Sequence, residues 1–442
     1  MKSRFRILAL GMFLGASFAT IASAQQMVSL TIDQAIEVGL EKSKGLHSSL
    51  MRLQYADSKS SEADALMMPS LKFSGAYTRL SEVPASQVSL PFLPQPITLS
   101  PSVFNNYALR LSVQQPLFTG FKLQRNADIA EYTASAVQKD FEKDKSDLVF
   151  NIRNAYWNLS QATELQKVVD ENVDQMKAHL KDVQSWQGQG MITTNEVLKV
   201  QVQLSDAKLQ QIDMRNNVEL ARIGFNSLLG LPLDTDVRLA TDIKHEPRNF
   251  DDINTLIRQA MERRPELKSM EFKVKAGDAA VAIARSNWFP QVYLTGNYYS
   301  SRPNQRFFPT EDAFKDTWDL GIGMSFDVWN WGTTIHQTDE AKAQLSQVED
   351  GLAQLKDGVI LDVTRNYLNL RRAKERISVA EQGVKQAEEN YRVTNAKFNQ
   401  GLSLNTDLLD AEVALLHAKT NYTQSLVDFE LAESGLERAI GE

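Results

Sequence analysis

The chain has 442 residues, 43% of them hydrophobic and 23% charged, a length that fits one large domain or two to three ordinary ones. Its formal net charge of −7 disfavours nucleic-acid binding, because phosphate recognition needs a concentrated basic face. Cysteine is absent, which excludes disulfides, thiolate metal sites and thiol nucleophiles.

The first 24 residues have the pattern of a secretory signal peptide. Basic residues within 2–6 precede an almost unbroken apolar or small run over 7–21, and the small residues 22–24 fit a cleavage site. Cleavage removes three of the 48 basic residues and none of the 55 acidic ones, leaving a net charge of −10. No later stretch supplies about 18 consecutive apolar residues, so any passage through a membrane would use strands.

Two segments of the first half alternate between large apolar and small or polar residues. They cover about 70–80 and 105–118, and their alternation predicts strands with one apolar and one polar face. Their length suits tilted strands that cross a bilayer. The proline-rich stretch between them indicates a long surface loop.

Two helices are predicted next, over 122–187 and 194–229. The first contains no proline, and at 1.5 Å per residue it would be about 95–100 Å long. The break between the two helices contains Gly188 and Gly190. The stretch 231–265 has three prolines and one short helical pattern, and we interpret it as a connector rather than a domain.

The second half repeats the first. An offset of 211 residues relates Gly190 to Gly401, and an offset of 221 relates Tyr77 to Tyr298. The ten-residue difference falls in the loop between the strands, where length can vary. The first repeat is therefore 25–230 and the second 266–442, with strands at about 291–301 and 317–329 and helices at about 333–399 and 405–440.

The strand faces indicate their surroundings. The polar faces of the strands are predicted to carry Lys72, Arg110, Gln114, Asp319 and Asp327. Burying these charged side chains in a soluble core would cost free energy, whereas facing a water-filled lumen would not. Aromatic residues near the strand ends predict a girdle at the membrane–water interface. Its main members are Phe118, Tyr298, Trp318 and Trp329, and Tyr299 and Trp331 lie close to them in the sequence.

Four strands cannot close a barrel, and lipid does not tolerate open sheet edges. The strands of several chains must therefore be pooled, two chains giving eight strands and three giving twelve, and the pattern alone does not choose between them. The predicted fold class is mixed α and membrane β, in which a β-hairpin plus a long α-helical hairpin is duplicated.

An acidic cluster follows the second helical break. Asp407 and Asp410 are three residues apart and share a helix face, and Asn195 and Glu196 take the matching place after the first break. One interpretation is carboxylates favoured by the positive end of a helix dipole. The other is that a symmetric oligomer turns them into rings that attract cations and select at an entrance.

No catalytic constellation is present in the sequence. The five histidines are scattered without metal-ligand spacing, and no nucleophile elbow or phosphate-binding loop occurs. We therefore expect no enzyme activity, no cofactor and no metal site.

Several short segments together carry a resemblance that covers essentially the whole mature chain. The chain resembles the TolC-like outer-membrane efflux proteins. The supporting segments are 30–35 (LTIDQA), 115–120 (QPLFTG), 154–157 (NAYW), 398–401 (FNQG) and 407–411 (DLLDA).

The resemblance implies a homotrimer in the outer membrane of a Gram-negative bacterium, extending into the periplasm. It implies a twelve-stranded barrel in outer-membrane lipid and a twelve-helix periplasmic α-barrel. It also implies that the helical tips dock on a periplasmic adaptor, which links to an inner-membrane pump. The expected adaptor-contacting residues are Gly190, Met191, Gly401, Leu402 and Ser403.

One departure from the family concerns the closed state. In the best-known member an arginine and a tyrosine near the second tip help to hold the entrance closed, and the matching positions here are Ser403 and Phe398. The function implied is a passive trimeric conduit of a tripartite efflux or type I export system, gated at the periplasmic tips. The alternative is an exported periplasmic coiled-coil scaffold without channel activity.

Overall fold

The computed structural model describes residues 28–82, 86–88, 91–92, 94–95, 97–100, 102–241 and 252–442. The predicted signal peptide over 1–24 lies outside these residues, as do Pro84, Pro96 and Pro101 of the first loop and the middle of the predicted connector. Among the described residues, no helix is both long and apolar enough to cross a membrane.

The described residues form strands and helices in the following chain order. They are β1 (Val28–Leu30), α1 (Ile32–Lys42), α2 (Lys44–Ala65), β2 (Ser70–Arg79), β3 (Ser86–Val88), β4 (Ile97–Ser100), β5 (Asn105–Phe118), α3 (Lys122–Gly188), α4 (Thr194–Leu229), β6 (Val237–Leu239), α5 (Ile253–Arg263), α6 (Pro265–Ser286), β7 (Gln291–Arg302), β8 (Lys315–Ser325), α7 (Thr333–Asn399) and α8 (Asn405–Ile440).

The two offsets seen in the sequence also relate the helices. Each bound of α5 and α6 lies 221 residues after the bound of α1 and α2, and each bound of α7 and α8 lies 211 residues after that of α3 and α4. The sequence pattern did not predict α1, α2 or α6. It placed α5 in the connector over 231–265, but because α5 matches α1 we assign α5 to the second repeat.

Strands β2, β5, β7 and β8 form one antiparallel sheet in that order. Its register aligns an apolar row, Phe73, Leu111, Tyr298 and Trp318. The next row along the strands is polar and points to the opposite face, and it consists of Lys72, Ser112, Asn297 and Asp319. The sheet therefore has one apolar and one polar face, and the outer edges of β2 and β8 have no partner strand within the described residues.

The last strand was predicted over 317–329, but β8 ends at Ser325, four residues earlier than expected. Ser325 pairs with Gln291, the first residue of β7, so no neighbouring strand remains to continue the ladder. Asp327 and Trp329 consequently lie beyond the strand, and Asp327 does not belong to the polar row.

A tight turn joins β5 to α3. Gly120 has φ +62°, and a Cβ at this position would lie 2.6 Å from the carbonyl oxygen of Ser286. Any side chain would therefore meet both backbone strain and a clash with the end of α6. This turn accounts for the glycine in the segment 115–120.

The long helices form a layer in which α4 packs on α3, α3 on α8 and α8 on α7. α3 and α7 have 67 residues each, about 100 Å at 1.5 Å per residue. Two apolar cores lie near the middle of the molecule, and a third fills the space between the four helices at the end remote from the sheet.

The segment 154–157 belongs to one of the central cores. The fully buried Tyr156 hydroxyl donates to the Leu30 carbonyl at 3.2 Å and accepts from the Thr241 backbone N–H at 2.9 Å. Its ring meets those of Trp157 and Phe225 edge to face. Tyr156 therefore joins α3 to the start of the first repeat and to the segment that follows this repeat.

Candidate functional site

The helical tips are the two turns that end α3 and α7, remote from the sheet. Gly190 and Gly401 adopt φ +73° and +72°, in the left-handed region that glycine occupies without strain. The Met191 N–H donates to the Trp186 carbonyl at 3.0 Å, and the Leu402 N–H donates to the Lys397 carbonyl at 2.9 Å. Both tips thus close with the same hydrogen bond, and Met191 and Leu402 are left exposed.

Asp407 is exposed and bound to its own helix end. Its Oδ2 accepts from the Leu404 backbone N–H at 3.0 Å and from the Ser403 hydroxyl at 2.9 Å. This is the reach-back contact by which a carboxylate stabilises the first turn of a helix. Asp407 therefore makes the helix-end contact that one interpretation of the acidic cluster described.

Asp410 lies in a different environment, although it shares the same helix. It is exposed and lines a groove between α4 and α8 together with Asn195 and Lys199. The structure therefore brings Asp410 and Asn195 together across the two repeats, while Asp407 is directed to the helix end. The groove also exposes apolar surface at Leu198.

Glu196 connects the two repeats at the tips. Its Oε2 accepts from the Asn405 amide at 2.9 Å, and its Oε1 accepts from the Lys199 ammonium at 2.8 Å. The hydrogen bond from Lys199, followed by that from Asn405, lowers the pKa of the Glu196 carboxyl below its ordinary value. Glu196 and Asn195 are neighbours in sequence, but Glu196 binds α8 whereas Asn195 lines the groove.

The two positions that depart from the family have other contacts here. Phe398 is buried in the tip core, where it stacks on Trp186 with ring centroids 4.6 Å apart. Ser403 donates to Asp407. Both residues therefore stabilise the second tip within one chain.

A buried polar pair at the tips was not predicted from the sequence. The side chains of His179 on α3 and Glu412 on α8 are 3% and 1% exposed, and the His179 Nδ1 lies 3.2 Å from a Glu412 carboxylate oxygen. The sequence does carry a signal for the burial of Glu412. This residue lies four residues after Leu408 and three before Leu415, which places its carboxyl on the apolar face of α8.

The predicted girdle aromatics lie at two levels of the sheet. Tyr298 and Trp318 are exposed cross-strand partners near the end remote from the helices. Phe118 lies at the helix-side end, where its ring meets Phe121 and Phe289 edge to face. Trp329 is exposed at the same end, just beyond β8.

Comparison with known proteins decides the family. The family model described as outer membrane efflux protein matches residues 35–231 and 256–442. The chain belongs to this family. As an outer membrane efflux protein it is a channel protein of the Gram-negative outer membrane with a periplasmic extension, and it is not an enzyme.

Individual relatives of this outer membrane efflux protein are distant. It is 22% identical to toxin and drug export protein A of Aggregatibacter actinomycetemcomitans over 329 residues, which cover 71% of this chain and 70% of the relative. It is 19% identical to TolC of Escherichia coli over 350 residues, which cover 76% and 70%. The outer membrane protein VceC of Vibrio cholerae has the same fold, with a TM-score of 0.77, 18% identity and coverage of 93% and 96%.

Proposed function

We propose that three copies of this chain form a passive conduit from the periplasm to the exterior, gated at the helical tips. The observation that carries the proposal is that, within the described residues, the sheet and the layer of long helices both have outer edges that no further strand or long helix covers. The sheet ends in β2 and β8, and the layer ends in α4 and α7. Copies placed side by side would cover both pairs of edges at once.

The outer helices have the surfaces that such a ring requires. α4 exposes a row of apolar side chains that we call the α4 stripe: Leu198, Val202, Leu209, Ile212 and Leu220. At 100° of rotation per residue, they lie within about 80° of one another around the helix axis. α7 exposes a second stripe on one face, formed by Leu361, Leu368 and Val379. A contact between α4 of one copy and α7 of the next is head-to-tail, and repeated head-to-tail contacts form a closed ring when the rotation between copies closes.

The sheet supports an outer-membrane location for its apolar face. Phe118 of β5 pairs with Val292 of β7, and Tyr298 lies six residues after Val292 on β7. At 3.3 Å per residue, the two aromatic levels are therefore about 20 Å apart. That spacing is close to the roughly 25 Å apolar band of membrane barrels. Pooling the strands of three copies gives a twelve-stranded barrel without edges, with the polar row lining its lumen.

The alternative, a periplasmic scaffold without channel activity, accounts for the helices but not for the sheet. The apolar face of the sheet exposes Phe73, Leu111, Trp318 and Leu320. A soluble scaffold would leave this patch in water, which monomeric proteins rarely do. The conduit therefore explains more of the chain.

The proposed partners lie at the tips. Relatives are named as export and efflux proteins, so we place this chain in a tripartite efflux or type I export system with an inner-membrane pump. A periplasmic adaptor would contact the exposed tip residues Met191 and Leu402, with Gly190, Gly401 and Ser403 shaping the turns.

Two measurements on the detergent-purified protein test the conduit. Native mass spectrometry is expected to give three chains, and planar bilayers are expected to show discrete current steps. A monomer that stays soluble without detergent and carries no current would overturn the proposal in favour of the scaffold.

Replacing Asp407 and Asp410 together with alanine is expected to weaken block of the single-channel current by divalent cations, by about threefold to tenfold in blocking concentration. Rings of carboxylates at an entrance concentrate cations, and neutral side chains do not. Asp410→Ala alone is expected to account for most of the change, because Asp407 is engaged at its own helix end. Unchanged block in the double variant would remove the role assigned to the ring.

A further inference from the structure

A chain of buried and half-buried polar groups crosses the tip core. The His179 Nε2 lies 2.9 Å from the Asn405 Oδ1, and the His179 Nδ1 lies 3.2 Å from the Glu412 Oε2. Asn405 in turn donates to Glu196, which binds Lys199. The network joins α3, α8 and α4 in the core that Phe398 covers with an edge-to-face contact to the histidine ring.

The partners determine where the protons lie. Asn405 must direct its amide N–H to the Glu196 carboxylate, so its oxygen faces His179 and the His179 Nε2 must carry a hydrogen. The remaining contact joins the Nδ1 and a carboxylate oxygen, which attract each other only when one proton lies between them. With that proton the buried pair is neutral overall. Without it, a lone pair faces a buried anion.

Surrounding charges add to the cost of losing the proton. α4 contributes Glu196, paired with Lys199, and α3 contributes Asp182. α7 contributes Tyr391, whose pKa is raised by burial first and then by the charges of Glu412 and Asp182. The neighbourhood is thus mainly acidic, and a further uncompensated negative charge is disfavoured in a buried place.

We infer that one proton shared by His179 and Glu412 holds α3 against α8, so that the tip loosens as pH rises. The consequence for transport rests on the proposed function, because a looser tip opens the conduit only if the conduit exists. Release of one proton per chain shifts the equilibrium between tight and loose tips by at most about tenfold per pH unit.

The pair is a feature of this place in the fold and not of the repeat. The positions 211 residues away from His179, Glu412 and Asn405 are Asn390, Gln201 and Thr194, none of which titrates near neutral pH. Of the two sites that the repeat relates, only the one with His179 and Glu412 therefore has a proton-dependent contact. This contact joins a helix of the first repeat to a helix of the second.

The test separates tip packing from conduction. Because the chain has no native cysteine, a nitroxide on Leu402→Cys reports the mobility of the exposed second tip. We expect label mobility and bilayer conductance both to rise as the pH is raised. In Glu412→Gln, whose amide can donate to the neutral histidine at every pH, both are expected to stay flat.

A matched control is Glu171→Gln, which removes an exposed ion pair with Lys419 between the same two helices, 3.0 Å long in the structure. It is expected to keep the pH response of the unsubstituted chain. A flat label signal in the unsubstituted chain, or an equal rise in Glu412→Gln, would overturn the inference. A pH-dependent label signal without any conductance would support the proton-dependent contact and overturn the conduit.

Discussion

Ile322→Arg is expected to abolish assembly of the protein into the outer membrane. Ile322 is 70% exposed in β8 and lies on the apolar face of the sheet with Trp318, Leu320 and Met324. If that face meets lipid, an arginine near the middle of the apolar band costs about 2–4 kcal/mol. A trimer contains the substitution three times, and the combined cost is comparable to the stability of a typical domain.

The control lies at nearly the same level on the opposite face. Thr295 pairs with Gly321, the residue before Ile322, and belongs to a polar row with Ser70 and Gln114. Thr295→Arg would point into a watery lumen and should assemble normally. The measurement is the amount of each variant in the outer-membrane fraction, and equal amounts of the two would contradict a lipid-facing apolar row.

Leu209→Asp combined with Ile212→Asp is expected to convert the proposed trimer into monomers. The two side chains of the α4 stripe are 61% and 62% exposed in the single chain, so their replacement should leave the fold of one chain intact. At the proposed interface each loses about 1.5–3 kcal/mol of apolar burial and gains a carboxylate that must be desolvated. Native mass spectrometry in detergent would show the change directly.

The matched control carries the same charges elsewhere on the same helix. Gln210 and Asn217 are exposed on α4 about 100–120° away from the centre of the stripe, counted at 100° per residue. Gln210→Asp with Asn217→Asp should therefore remain trimeric. Trimers in both double variants would show that the α4 stripe is not the interface.

Equivalent positions of the two repeats have diverged at the tips. Glu196 and Asp407 are 211 residues apart, yet Glu196 reaches across to Asn405 whereas Asp407 binds the start of its own helix. Asp410 is an exposed carboxylate in the groove that it shares with Asn195, whereas Glu196 has a partner in the other repeat. This asymmetry gives the helical tips two kinds of carboxylate, one structural and one available to solvent.

The sequence alone determined the features that repeat at short range. Alternation of apolar and polar residues located the sheet strands, and the absence of proline located the long helices, because both patterns follow from local backbone geometry. The helix α2 was missed because its buried residues are serine and alanine, Ser49, Ala56 and Ala63, so its apolar stripe is faint. The early end of β8 was missed because it depends on where β7 begins.

Only the tertiary structure decided which surfaces are edges and which residues meet. The order of helices in the layer leaves the α4 stripe exposed, and no local pattern carries that order. His179 and Glu412 are 233 residues apart, and the position of Glu412 on the apolar face of α8 predicts its burial but not its partner. Their shared burial arises from packing between the two repeats, and packing over such separations leaves no periodic signal in a single sequence.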